Sequence, residues 1–216
     1  MSSRRQLLGA AGAAAVFSGL SLPAEAAFTP GKEYLVVRPQ VPMERTPVII
    51  HDFFAYTCPH CLTFAPVMAE YAASIAQDAS VKVIRVPVAW NATYDVFPRT
   101  YFAFEALNRM QDLHMPFWEW VIKEEHDWKD AAAMGKDVNQ WVISHGVDAD
   151  LWQRTTTSFS VVAKVRQSFA LWQSYGVDST PSVGVAGRYL TAPHLAGTRR
   201  RTIEVLKELV EMAKKA

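Results

Sequence analysis

The chain has two cysteines, and only two residues separate them, in Cys58-Pro59-His60-Cys61. Their neighbours fix what this tetrapeptide can be. It follows the apolar run Val48-Ile49-Ile50-His51-Asp52-Phe53-Phe54-Ala55-Tyr56, which reads as a buried strand, and it opens Leu62 to Gln77, which has helical periodicity. The pair therefore lies where a strand ends and a helix begins. Backbone N–H groups at a helix start are unpaired and partially positive, so they favour an anion. A cysteine placed there ionises at lower pH than a free thiol. As a structural staple the pair would close almost no loop and would remove little entropy from the unfolded chain. The spacing points instead to a dithiol/disulfide couple built to react.

The 216 residues, half of them hydrophobic, suffice for one domain with an insertion or for two small domains. A formal net charge of +1 gives no case for nucleic acid binding. Charges of both signs are scattered, except for Arg199-Arg200-Arg201, which reads as a solvated helix start.

Residues 1–26 read as a targeting signal. Arg4-Arg5 precedes an Ala/Gly-rich apolar stretch from Leu7 to Leu22, and Ala24-Glu25-Ala26 is a small-x-small cleavage signal. The apolar stretch falls short of the roughly 20 residues needed to span a bilayer. Ser3-Arg4-Arg5-Gln6-Leu7-Leu8 resembles a twin-arginine signal with Gly9 in place of the usual Lys, and the general secretory route fits equally well. Cleavage after Ala26 would leave a mature protein beginning near Ala27 in the periplasm.

Lys32–Val37 reads as an edge strand, Val48–Tyr56 as a central strand, Cys58–Gln77 as a helix bent or divided at Pro66, and Ser80–Val86 as a further strand. The strand–helix–strand order implies parallel pairing. Strand signal then fades. Arg99–Leu113, Pro116–Glu125, Asp137–His145 and Asp148–Phe159 read as short amphipathic helices, with Trp118, Trp120, Trp128, Trp141 and Trp152 as packing residues. Val161–Tyr175 reads as a longer helix ended by Gly176. A hairpin follows, Ser182–Val185 and Arg188–Thr191 around Ala186-Gly187, and then a terminal helix Arg199–Lys215.

This layout resembles an α/β, thioredoxin-like fold with an inserted helical domain. The resemblance implies a thioredoxin-like domain from 27–97 and 160–216 and a helical insertion at 98–159. Phe53-Phe54-Ala55-Tyr56-Thr57-Cys58-Pro59-His60-Cys61 resembles the active-site segment of the periplasmic disulfide oxidases of the DsbA family. Val86-Pro87-Val88-Ala89-Trp90, Tyr101-Phe102-Ala103-Phe104-Glu105-Ala106-Leu107 and Val177-Asp178-Ser179-Thr180-Pro181 are similar to that family as well.

Cys58, at the exposed helix start, is the expected exchanging sulfur, and Cys61, one turn deeper, the buried resolving partner. Pro59 fixes φ in the turn. The His60 imidazole is expected to stabilise the Cys58 thiolate further. The resemblance makes Pro181 a cis-proline facing the disulfide, with Thr180 presenting backbone groups to an extended substrate. The best-known family members have Val before that proline, and isomerase relatives resemble this chain in having Thr. The resemblance also places Asp52 beneath the disulfide, where it would relay a proton for Cys61. The alternative is that Asp52 pairs with a base or faces solvent. His51, His114, His126, His145 and His194 lack metal spacing and read as structural, and Asn91-Ala92-Thr93 matches a glycosylation acceptor by chance.

The expected activity is that of a thiol:disulfide oxidoreductase needing no cofactor. It would donate the Cys58–Cys61 disulfide to exported proteins with free cysteines and, by resemblance, be re-oxidised by a quinone-linked membrane protein. The alternatives are an isomerase or reductase, a metal carrier using Cys58, Cys61 and His60, and a peptide binder without redox chemistry.

Overall fold

The computed structural model describes residues 28–216, so the signal read at residues 1–26 lies outside the described residues. Its centre is the strand β2 (Val48–Phe54), nearly all of it buried. A strand buried along nearly its whole length needs cover on both faces. Ile50 packs with Phe64 and Met68 and with Leu206 and Leu209, whereas Phe53, on the opposite face, packs with Trp172, Tyr175 and Val177. The first set lies on α1 (Pro59–Ser74) and α8 (Arg199–Lys215), and Trp172 of the second lies on α6 (Phe159–Ser174).

Beside β2 runs β3 (Val81–Pro87), parallel and in register from Val48↔Val81 to Phe54↔Pro87. Then β4 (Ser182–Val185), β5 (Tyr189–Thr191) and β1 (Tyr34–Val36) pair antiparallel, giving the order β1-β5-β4-β2-β3 with β1 at an edge. Val185 pairs with Tyr189, so three residues turn the chain between β4 and β5, with Ala186 at φ 52° and Gly187 at φ 68°, both left-handed, and the Arg188 N–H donating to the Val185 carbonyl at 2.9 Å. Gly187 is further constrained because a Cβ there would stand 2.1 Å from the Val41 carbonyl oxygen. Its N–H donates to the Tyr175 hydroxyl at 2.7 Å, and that hydroxyl also meets His51 Nδ1 at 3.1 Å.

The helices between β3 and β4 are divided differently from the sequence reading. A single helix was expected over Arg99–Leu113. Instead α2 (Val96–Ala106) stops, Asn108 turns left-handed at φ 56°, Arg109 N–H donates to the Phe104 carbonyl at 2.8 Å, and α3 (Met110–Lys123) starts afresh. This is a Schellman-type ending with Asn in the position usually held by Gly. Pro116, expected to begin a helix, lies inside α3. An interior proline costs about 3 kcal/mol. Leu113, Phe117, Trp118 and Val121 are all buried on that helix, at about 1.5–3 kcal/mol each, so packing outweighs the break. Likewise α1 runs unbroken through Pro66.

α4 (Ala131–Ser144) begins six residues before the expected Asp137, because Asp130 Oδ1 accepts from the N–H groups of Ala132 and Ala133. α5 (Ala149–Thr156) ends early, and Ser158 caps α6. Two elements had no clear sequence signal: the short α7 (Pro193–Ala196) and a 3-10 turn at Ala92–Tyr94. In the latter, Asn91 Oδ1 accepts from Thr93 N–H, so the acceptor-like triplet has a local structural role. Residues 97 and 98 both fall within α2, and 159 and 160 both fall within α6, so the expected insertion ends cut through helices.

Trp118, Trp141 and Trp152 are buried among Phe97, Phe104 and Phe117, with Trp120 and Trp128 packed against them. The same cluster contains Phe54, Tyr56 and Cys61. The helical block is thus continuous with the end of β2 and the start of α1. Among the described residues no helix is long and apolar enough to cross a membrane.

Burial lowers His51 to about 4 and His114 to about 3, from the ordinary 6.5. The unfolded chain therefore takes up these protons below pH 6.5 while the folded chain refuses them until about pH 4 and 3. Stability from both groups is present above 6.5 and falls as the pH drops through that window, by up to about 1.4 kcal/mol per pH unit per histidine. Urea unfolding of His51→Asn between pH 7 and pH 4.5 should show a shallower decline than the parent. An unchanged slope would show that His51 does not titrate on unfolding.

Candidate active site

β2 delivers the chain through Ala55-Tyr56-Thr57 to Cys58, whose N–H donates to the Ala55 carbonyl at 3.0 Å. Cys58 is the N-cap of α1. Its backbone is extended (φ −104°, ψ 107°), and its Sγ accepts from the Cys61 N–H at 3.2 Å. Pro59 holds the first helical position, where a missing N–H costs nothing. The strand-to-helix placement read from the sequence is thus present. The two thiols are free, with Cys58 half-buried and Cys61 buried at 2% exposure.

The two sulfurs have opposite electrostatics. Cys58 is lowered from an ordinary value of 9.0 to about 6. The largest cause is a hydrogen bond from the Cys61 thiol. Burial opposes it, and the Thr180 side chain and the N–H groups of Cys61 and His60 assist. Cys61 is pushed up strongly, first by burial and then by the bond to Cys58 and by its negative charge. One thiol is thereby set to be a thiolate near neutral pH and the other to keep its proton.

His60 was expected to act through its ring. Among the groups that lower Cys58 its contribution is the backbone N–H, which α1 aims at the sulfur. The side chain is exposed and lines a groove with Thr180, Pro181, Pro193, His194 and Arg199. The Thr180–Pro181 bond is cis, as are Arg38–Pro39 and Thr46–Pro47. The Cys58 thiol donates to the Thr180 carbonyl at 3.2 Å, which brings this segment against the Cys58 sulfur.

Asp52 lies on the α1 side of β2 at 4% exposure. Asp52 pairs with a base. Arg85 Nε donates to Asp52 Oδ2 at 3.3 Å. Among the described residues no hydrogen bond joins Asp52 to Cys61. Burial raises the Asp52 carboxyl, and the Arg85 charge works against that. Arg85 also donates through Nη1 to His114 Nε2 at 2.9 Å, and His114 Nδ1 meets the Tyr56 hydroxyl at 2.7 Å. A guanidinium has only donors, so Nε2 must accept and the imidazole proton sits on Nδ1, donating to Tyr56. A largely buried chain Asp52–Arg85–His114–Tyr56, with Arg85 half-buried, therefore runs from the sheet into the helical block.

The sequence reading missed Arg85 and the Tyr56–His114 contact. One signal was available. Asp52 and Arg85 are each the fifth residue of their strands, and parallel register sets them side by side. His114 gave no signal, because its partners come from two other elements. Among the described residues no three His, Cys, Asp or Glu side chains converge on a point that would hold a metal.

Titrating the reduced protein by thiolate absorbance should show a first midpoint at about pH 6, and alkylation at neutral pH should label Cys58 before Cys61. A first midpoint near that of free cysteine would contradict the geometry.

A thioredoxin family model matches residues 43–205. The thiol:disulfide interchange protein DsbA of Bordetella parapertussis is 33% identical over 207 residues, covering 94% of this chain and 95% of the relative. That of Pseudomonas syringae pv. tomato is 26% identical over 214 residues, covering 99% and 97%. Among solved structures, Pseudomonas aeruginosa DsbA superposes with a TM-score of 0.76 at 23% identity, over 87% of this chain and 95% of that one. NmDsbA1 of Neisseria meningitidis superposes with 0.71 at 21%, over 89% and 98%. At these identities the superpositions show the thioredoxin-like fold alone. A third of all positions shared along nearly the whole of both chains is a closer tie than a common fold, and the chain belongs to the DsbA family of thiol:disulfide interchange proteins, in the thioredoxin superfamily.

Proposed function

We propose that Cys58 and Cys61 form the disulfide that this thiol:disulfide oxidoreductase donates to exported proteins with free cysteines. The observation that carries the reading is the opposite displacement of the two thiols. A substrate thiolate attacks Cys58 Sγ, the Cys58–Cys61 bond breaks, and Cys61 leaves and takes up a proton. A second substrate thiolate then attacks the substrate sulfur of the mixed disulfide, and Cys58 leaves as a thiolate. The substrate loses two electrons and two protons, and the protein gains both electrons. Asp52, its carboxyl raised by burial, is the proton store proposed for Cys61. Thr180 and Pro181 present backbone to the extended substrate, and Pro59 holds the turn.

The direction of transfer follows from where the charge exists. The groups around Cys58 stabilise a thiolate, and only the dithiol form has one. The reduced protein is therefore favoured and the disulfide readily given away. Each pKa unit corresponds to about 1.4 kcal/mol, or roughly 30 mV for two electrons. For a group lowered from 9.0 to about 6, this advantage is full above pH 9, shrinks as the pH falls, and is gone below about 6. Thermal melts of reduced and oxidised protein should therefore show the reduced form melting higher at pH 8, with the gap closing at pH 5.5. A higher melt for the oxidised form at pH 8 would overturn the donor reading and favour a reductase.

Thr180→Val and His60→Ala separate side-chain from backbone contributions. Thr180→Val removes a side-chain hydrogen bond to Cys58 and should raise its pKa and make the reduction potential more negative. His60→Ala keeps the N–H and should shift both less. A larger shift for His60→Ala, read by thiolate and glutathione redox titrations, would restore the ring to the leading role.

The same reading places the mature protein in the periplasm, exported by residues 1–26 through the twin-arginine or the general secretory route and re-oxidised by a quinone-linked membrane protein. It also keeps a thioredoxin-like domain interrupted by a helical insertion, with the insertion's ends moved from 98 and 159 to the termini of α2 and α5.

A further inference from the structure

The groove beside Cys58 has a volume of about 670 Å³ and runs from the first turn of α1 to the junction of α7 and α8. Pro181 and Pro193 are apolar parts of its lining. Its charged groups are unevenly placed. Arg199 lines it from the start of α8, and Asp178 lines it from the segment before the cis-proline.

The first turn of α8 holds Arg199, Arg200 and Arg201 and no acid. Local helix electrostatics favour acids there, so three cations need another reason. Arg201 has one: it pairs with Glu33 at 3.3 Å and covers the Phe28 ring at 5.3 Å. Arg199 does not. Its recorded hydrogen bond is Nη1 to the neutral Thr63 hydroxyl on α1 at 3.4 Å, which leans it toward the helix that begins at Cys58. Arg200 lines an adjoining depression with Arg199. Neither is in an ion pair among the described residues.

We propose that Arg199, supported by Arg200, makes this groove selective for polypeptide substrates that carry Asp or Glu beside the reacting cysteine. This rests on the reading of Cys58 as the exchanging sulfur. A polypeptide extended along Thr180 and Pro181 enters a groove whose lining carries both Arg199 and Asp178. A substrate carboxylate gains an uncompensated guanidinium, which can bind it with two parallel N–H groups. A substrate lysine at the same place meets that cation unpaired. Asp178, whose Oδ1 accepts from the Ser179 hydroxyl at 2.9 Å, repels a carboxylate near the segment before the cis-proline. The groove is therefore polarised, and it sets orientation as well as preference.

The test uses the oxidised mature protein and three dithiol peptides, identical except for Glu, Lys or Gln beside the cysteines. The measured quantity is the rate of peptide oxidation in the parent and in Arg199→Glu. Flanking charge alters a peptide's own thiols, but that effect cancels when the Glu:Lys rate ratio is compared between the two proteins. The ratio should fall by about tenfold in Arg199→Glu at low salt, and most of this difference should disappear at high salt. Arg199→Lys should retain the parent ratio to within about threefold, because it keeps the charge. Equal ratios in parent and Arg199→Glu, or a difference indifferent to salt, would overturn the proposal. Should Arg199→Glu not fold, Arg199→Gln must show about half the effect on a logarithmic scale, and an unchanged ratio there counts equally against it. If the parent fails to oxidise even the Gln peptide, the donor reading itself falls and takes this one with it. If the parent oxidises all three peptides with no dependence on Arg199, only the selectivity falls.

Discussion

The hydrogen bond from the Cys61 N–H to Cys58 Sγ, 3.2 Å long, makes the Cys58 sulfur part of the helix architecture. An N-cap must accept a hydrogen bond, and a thiolate accepts more strongly than a thiol. The capping requirement of α1 and the ionisation of Cys58 are thus one interaction. It works only if α1 starts at a fixed place and angle. Phe64 and Met68 lock the helix onto β2 and α8, while Cys61 and Ala65 anchor its first turns in the core of the helical block. Burial of Cys61, which keeps its proton in place, is supplied by the same packing.

The helical block also contributes through polar contacts. Its His114 receives a hydrogen bond from Arg85, which in turn holds Asp52. A buried carboxylate without a partner would be costly, and so would a buried guanidinium. By accepting from one and donating to Tyr56, a neutral imidazole completes the set without adding a charge. Two strands, α3 and the loop before α1 meet in this chain, which ties the inserted helices to the sheet beside the Cys58–Cys61 segment.

Much of this was legible in the residues. The strand-to-helix position of Cys58 followed from a continuous apolar run abutting a helical period. The cis-proline followed from family likeness around Thr180-Pro181, and the central parallel pair from strand–helix–strand order. Helix boundaries in the block were less legible. Asn108 ends α2 in a conformation that leaves a weak mark on the sequence, and Pro116 is carried within α3 by burial that only the assembled core supplies. The contribution of His60 was less legible for a similar reason. A histidine between two cysteines invites an argument from its ring, but the helix turns that ring outward and its peptide N–H toward the sulfur.

Tyr175 has a consequence for the wall opposite α1. Its ring fills the space above Gly184, where a Cβ would stand 2.4 Å from it, and its hydroxyl takes the Gly187 N–H and meets His51. The foot of α6 is thereby fastened to β4 and to the hairpin turn. The chain then has only Gly176–Thr180 in which to reach Pro181, already buried at the head of β4. A tether of five residues pinned at both ends has little slack. If a substrate backbone lies along Thr180 and Pro181 as proposed, it meets a fixed jaw, and the vice is closed by the incoming chain rather than by the enzyme.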